Sequence, residues 1–234
     1  MRPETLGCEK RGNLMCGRFG YAKTKEQTIK RFNVERVPDN FPLRYNIAPT
    51  QNAFAIISKF PNQVIPCRFG LIPSWSKEDK SEYTLINARS ETVFEKPTYK
   101  RLIKSKRALI IADNIFEWQK KSLKKIPYRI FLKNEEPFAM AGIWDSWGEG
   151  NQQFFSFSIL TTSSHGFLSE LHDRMPIILD PEDESKWLQD DTPMNIISGM
   201  FRSYPAEKMS AYPISPLVNS PANDSIDILK PVSP

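Results

Sequence analysis

The stretch FAMAGIWDSWGEGNQQFFSFSILTT, residues 138–162, decides how this chain is read. Two runs rich in aromatic and β-branched residues, 138–147 and 154–162, flank a polar, glycine-bearing hexapeptide, GEGNQQ (148–153). Such runs bounded by turn residues read as strands, and the short spacer predicts a hairpin. The same signature recurs at AFAIIS (53–58), VIPCRFGLI (64–72), ALIIAD (108–113) and PYRIFLK (127–133), and again at PIIL (176–179). Helices fit between and after these runs. Thr24 can cap KEQTIKRF, Asp180 followed by Pro181 opens EDESKWLQ, and Thr192 followed by Pro193 opens MNIISGMF. The 19 prolines are spread through the 234 residues and chop the chain into short elements. The expectation is a single compact α+β domain with an antiparallel, barrel-like β-sheet core and peripheral helices.

A hydrophobic content of 40% and an aromatic content of 12% are enough for the core of one such domain. The net charge of +5 permits a polyanionic partner without establishing one. The three cysteines, Cys8, Cys16 and Cys67, are too few and odd in number for a disulfide framework, which points to a reducing compartment. No CxxC exists and the only histidines are His165 and His172, so neither a metal nor a cofactor is expected. No apolar run reaches membrane-spanning length, and residues 1–14 lack the apolar centre of a signal peptide. A soluble, cytoplasmic, monomeric protein is expected. Residues 1–14 are polar and patternless and are expected to be disordered or absent.

Chemistry-bearing residues sit inside or beside the apolar segments. In MCGRF (15–19), translation from Met15 and removal of that methionine would leave Cys16 with an α-amine and a thiol on adjacent carbons. LINARSET (85–92) carries Asn87, Arg89 and Glu91; ALIIADNIFEW (108–118) sets Glu117 beside Trp118; LHDRMPIIL (171–179) carries His172, Asp173 and Arg174. Taken singly, Asn87 reads more readily as a turn former, Glu117 as a solvated carboxylate and His172 as a hydrogen-bonded packing residue. Together they make a coherent set of cysteine nucleophile, glutamate and histidine acid/base groups and asparagine orienter.

Eight motifs stand in order: MCGRF (15–19), RYNIAPTQ (44–51), GLIPSW (70–75), INARSET (86–92), ADNIFEW (112–118), AGIWDSW (141–147), LHDRMP (171–176) and SPLVNSP (215–221). In these the chain resembles the SRAP family, SOS response-associated peptidase-like proteins that crosslink to abasic sites in single-stranded DNA. The resemblance implies a domain over 15–223, a C-terminal tail over 224–234, and a positively charged groove beside an N-terminal cysteine. Departures occur at Phe69, where the family usually has tryptophan, and at Ala108, Ile111, Asn114, Ile115 and Phe116 around the glutamate. They are expected to alter packing or DNA affinity.

The resemblance also implies roles. Cys16 is the nucleophile through both of its atoms and closes a thiazolidine on the abasic aldehyde. Asn87 holds the amine and the sugar, Glu117 shuttles protons in crosslinking and reversal, and His172 protonates the sugar ring oxygen. Arg18 and Arg89 are the expected phosphate contacts, with Arg174 a further one. Trp75 and Trp118 stack on bases or, alternatively, pack in the core. Rival readings are a thiol peptidase acting on itself or other proteins, and a non-covalent binder of modified or single-stranded DNA. The codons of KRG (10–12) can form a purine run two codons ahead of Met15, which resembles a ribosome-binding site and favours initiation there. Self-cleavage before Cys16 is the alternative.

Overall fold

The computed structural model describes residues 17–79, 85–121 and 124–233. Its first half runs β1 (Phe19–Tyr21), α1 (Lys25–Phe32), β2 (Arg44–Ile47), β3 (Asn52–Ile57), β4 (Phe60–Phe69), β5 (Asn87–Arg89), α2 (Pro97–Lys100) and α3 (Leu102–Ser105). The second half runs β6 (Arg107–Ala112), β7 (Asn114–Lys121), β8 (Lys124–Leu132), β9 (Phe138–Trp147), β10 (Phe154–Ser163), β11 (Arg174–Pro176), α4 (Pro181–Leu188), α5 (Met194–Gly199) and β12 (Met209–Pro213). The strand order β10-β4-β3-β6-β9 closes through the β9–β10 pairing into a five-stranded barrel. A second sheet, β12-β8-β7-β1-β2, packs beside it. The expected α+β domain with a barrel-like core is therefore present.

The quoted hairpin is β9 and β10, paired from Phe154↔Trp147 to Ile159↔Gly142. Gly148 makes its turn possible: φ is +83°, and a Cβ there would lie 2.6 Å from the Gln152 carbonyl oxygen. The barrel is mixed where an antiparallel one was expected. Ser156 and Phe157 pair in parallel with Arg68 and Phe69, and Ile159–Thr161 pair in parallel with β5. Closure requires β4 to meet a strand far away in sequence, and nothing local fixes that direction. PIIL (176–179) is only partly a strand. Past Gly142 it wedges between the diverging β9 and β10, with Ile177 N donating to Leu160 O at 2.9 Å and Ala141 N donating to Ile177 O at 2.8 Å.

Both faces of the barrel strands are covered, which is why they read as unbroken apolar runs. On one face Ala53, Ala55, Ile57, Ala108 and Ile110 join Ile115, Ile130 and Met209 of the second sheet. On the other, Phe54, Ile56, Leu109 and Ile111 pack against Tyr99, Leu102, Trp187 and Ile197 from the helices. The departures are absorbed by this packing. Phe69 stacks on Phe157 (5.3 Å between centroids) and meets Phe19 edge-on, while Asn114 joins a buried polar chain with Asp113, Arg129 and Tyr212.

Thr24 caps α1 as expected, in a reciprocal capping box with Gln27. Asp180 precedes α4 with Pro181 in the first turn. At α5 the cap position is Pro193, not Thr192, because the Thr192 hydroxyl donates to Lys186 O at the end of α4. The fully buried Arg107 fastens two helix ends. Its guanidinium donates to Ile103 O and Lys104 O in the last turn of α3, to Trp187 O in the last turn of α4 and to Gln189 O just after it. Those carbonyls lie where a helix leaves acceptors unpaired. Burial lowers the Arg107 pKa.

The segment expected as a C-terminal tail is fastened to the domain. Asp224 accepts from the backbone N–H groups of Tyr45 and Asn46, and from Arg44 Nε at 2.6 Å; Ile228 is buried with Phe116, Ile214 and Val218.

Candidate active site

The expected acid/base, orienting and arginine residues come from three strands or their ends. Glu117 lies on β7, Asn87 and Arg89 on β5, and Arg174 on β11 with His172 just ahead of it. The C-terminal half of β10 gathers two of these strands. Thr161 pairs with Arg89 on one edge and with Pro176 on the other. The Arg174 guanidinium crosses this end and forms a two-pronged ion pair with Glu91, both contacts 2.9 Å, while also donating to Thr161 O at 2.7 Å. That hydrogen bond to Arg174 holds the Glu91 carboxyl below the usual carboxylate range.

Glu117, His172 and Arg174 line one cleft, with Ile115, Ile130, Leu168, Leu171, Met175, Pro176 and Met209 around them. Its volume of about 10 Å³ is the room one water needs. Glu117 is only 5% exposed, so it is not the solvated carboxylate of the alternative reading. His172 Nδ1 has two suitors. The Arg174 backbone N–H donates to it at 3.2 Å, which requires a bare nitrogen; the Asp173 carboxylate lies 2.7 Å away, which favours a protonated one. The neutral ring pairs with Arg174, and the imidazolium with Asp173.

The first described strand lies beside the strand that carries Glu117. β1 runs antiparallel to β7, with Phe19 opposite Ile115, and Phe116 N donates to Arg18 O at 3.0 Å. Cys16, the expected nucleophile, lies outside the described residues.

Arg18 is anchored within the protein. Its Nη1 donates to Asn46 Oδ1 at 2.9 Å and to Val218 O at 2.6 Å, and its guanidinium carbon sits 5.8 Å from the Trp118 ring centroid. Burial lowers the Arg18 pKa. Asn46, fully buried, also donates through Nδ2 to Val218 O, Ser220 O and Asn223 O. Asn46 and Asp224 therefore tie the start of the described chain to its end. They were not expected as site-supporting residues; RYNIAPTQ was noticed only as a motif. Trp118 is half-buried and donates its indole N–H to Asn219 Oδ1 at 2.7 Å. Trp75 is 71% exposed, which excludes core packing for it, and stands apart from the cleft. Arg89 is exposed.

Known proteins resemble the chain in sequence and in fold. The chain is 40% identical over 223 residues to the abasic site processing protein YoqW of Bacillus subtilis strain 168, covering 92% of this chain and 99% of that protein. It is 30% identical to the abasic site processing protein HMCES of Mus musculus, covering 93% of this chain and 76% of that one. A crystal structure of a Bacteroides thetaiotaomicron protein superposes with a TM-score of 0.83 at 29% identity, over 93% of this chain and all of that one. The family description "SOS response associated peptidase (SRAP)" matches residues 15–221. The chain belongs to the SRAP family.

Proposed function

We propose that the protein recognises abasic sites in single-stranded DNA and shields them by a covalent crosslink through Cys16 as the N-terminal residue. The observation that carries this reading is that Glu117 and His172, the expected acid/base pair, share one cleft, with Glu117 on the strand that β1 pairs with. The names of the relatives in Bacillus subtilis and mouse support the substrate class.

The ring-opened abasic sugar offers an aldehyde. An α-amine has an ordinary pKa of about 7.7–8.0, so roughly a tenth of it is neutral and nucleophilic at pH 7, far more than of a lysine. Its lone pair attacks the aldehyde carbon, and loss of one water gives an imine. The Cys16 thiol then adds to the imine carbon; the C–S bond forms and the thiol proton ends on nitrogen, closing a five-membered thiazolidine. His172 supplies the proton that opens the sugar ring. With Nδ1 engaged by Arg174 or Asp173, that exchange falls to Nε2. Glu117 moves protons during water loss and assists reversal, and Asn87 holds the amine and sugar. Arg89 and Trp75 contact phosphate and base, and Trp118 stacks beside the Arg18 anchor.

The chemistry requires a free α-amine on Cys16, so the working protein begins at Cys16, without residues 1–14 and with Met15 removed. The family match beginning at residue 15 supports this. The test is a denaturing gel with single-stranded DNA carrying one abasic site. Wild type gives a slow band that survives denaturation, and Cys16→Ala gives none without a reductant. A wild-type yield of stable adduct from Cys16→Ala would refute the thiazolidine. A band on native gels alone would indicate a non-covalent binder, and peptide cleavage without any adduct would indicate a thiol peptidase.

A further inference from the structure

No residue of the motif AGIWDSW (141–147) lines the cleft. Its end fastens the loop that carries Trp75 instead. Asp145 is 1% exposed, and its carboxylate accepts from three donors: Lys106 Nζ at 2.5 Å and Ser146 N at 2.9 Å on Oδ1, and Ser74 N at 2.8 Å on Oδ2. Two residues on, the Trp147 indole N–H donates to Ser76 O at 2.9 Å. Across the hairpin, Ser156 stands opposite Asp145, and its hydroxyl accepts from Ile72 N at 2.8 Å. The backbone is therefore held at 72, 74 and 76, on both sides of a tryptophan that is itself 71% exposed. Exposing an indole forgoes the gain of burying it, and these fastenings oppose any rearrangement of the loop that would cover it.

Arg101 stands beside this loop, at the junction of α2 and α3. Its Nη2 donates to Ser74 Oγ at 3.2 Å, one residue before Trp75, and lies 3.9 Å from Asp145 Oδ2. The Asp145 charge is already matched by Lys106 at 2.5 Å, and the Arg101 side chain is 68% exposed. A flat apolar face with a guanidinium beside it suits one unit of a single strand, the base on the ring and the phosphate on the cation.

We propose that Trp75 and Arg101 together seat one nucleotide of the DNA strand, and that Asp145 and Trp147 are the positioning residues that hold the pair in place. The inference rests on the single-stranded DNA reading given above. It adds a phosphate contact outside the cleft and the residues that build it.

The experiment measures binding to single-stranded DNA, with and without one abasic site, and adduct yield on the abasic strand. The variants are Trp75→Ala, Arg101→Gln, Asp145→Asn and Trp147→Phe. Trp147→Phe keeps a ring beside Phe154 and removes the N–H that holds Ser76. Trp75→Ala is expected to weaken binding about fivefold or more, the loss of one base stack. Arg101→Gln is expected to weaken it with a salt slope shallower by about 0.7, one phosphate contact on a single strand. Asp145→Asn removes a negative charge, which by charge alone would tighten DNA binding. The positioning role predicts weaker binding instead. Trp147→Phe is expected to weaken binding with no change of charge, and to add nothing in a chain that already carries Trp75→Ala. A general loss of folding would add its cost in either background. Tighter binding by Asp145→Asn, a further loss from Trp147→Phe once Trp75 is gone, or wild-type affinity and salt slope in Arg101→Gln would each overturn the proposal. If these effects appear but wild type forms no adduct, the crosslinking reading fails and the nucleotide seat stands. An adduct with none of these effects leaves crosslinking intact and removes the seat.

Discussion

Glu117 brings a carboxylate into a cleft that has room for about one water and is otherwise mostly apolar, on a strand whose next residue is Trp118. In the proposed mechanism a group so placed works on protons, not on phosphate. Glu117→Gln is therefore expected to keep DNA affinity while slowing adduct formation and reversal, by about 10²–10⁴-fold for a proton-transfer group. Stopped time courses with abasic DNA in both directions check this, and wild-type rates in both would remove Glu117 from the mechanism. Arg89→Ala is expected to do the reverse, weakening binding with a smaller salt dependence while the rate of the bound complex holds. Arg18, expected from sequence as a phosphate contact, has its Nη1 committed to Asn46 and Val218 O. Its place within the fold was illegible because both partners are distant in sequence.

The barrel strands show what makes an element readable. β9 occupies Phe138–Trp147, the bounds expected from its apolar run, because its first seven residues are buried and apolar and Gly148 turns the chain at its end. β7 was not expected as a strand beyond Asp113. Asn114, Glu117, Gln119 and two lysines interrupt its pattern, and it exists because β8 and β1 pair with it. Its polar residues serve the site and the Asp113–Arg129 chain, so local pattern and function conflict there. Thr192 was misread for a similar reason: its hydroxyl answers the preceding helix, which a cap signal cannot distinguish. Arg107 is the element-joining residue that no motif announced. Arg107→Leu would leave four carbonyls at the ends of α3 and α4 without their donor, and a loss of about 3 kcal/mol or more is expected. A urea midpoint within error of wild type would show that these bonds contribute little.

Across the whole molecule, distant parts of the chain are tied at the site end of the barrel. Glu91 holds Arg174, Asn46 holds Arg18 to the 218–223 segment, and Asp224 locks that segment to β2. The Glu91 pair carries a pH signature. A carboxyl held below its ordinary value contributes stability that is complete above its unfolded pKa, about 4.3, and is lost as pH falls through the folded value. Glu91→Gln is thus expected to be less stable than wild type at neutral pH, with the gap closing below about pH 4. A gap unchanged into that acid range would deny the ion pair its role. The fold class was legible in the apolar strand runs and the eight ordered motifs, whereas the parallel β10–β4 closure and the fastening of 224–230 depend on contacts between distant residues. The covalent reading itself is decided by mass spectrometry of the protease-digested adduct formed on abasic single-stranded DNA. The expected species is a peptide whose first residue is Cys16, joined to the sugar remnant with loss of one water and stable without reduction. An adduct on any other residue, or on a peptide still carrying Met15, would contradict the α-amine mechanism.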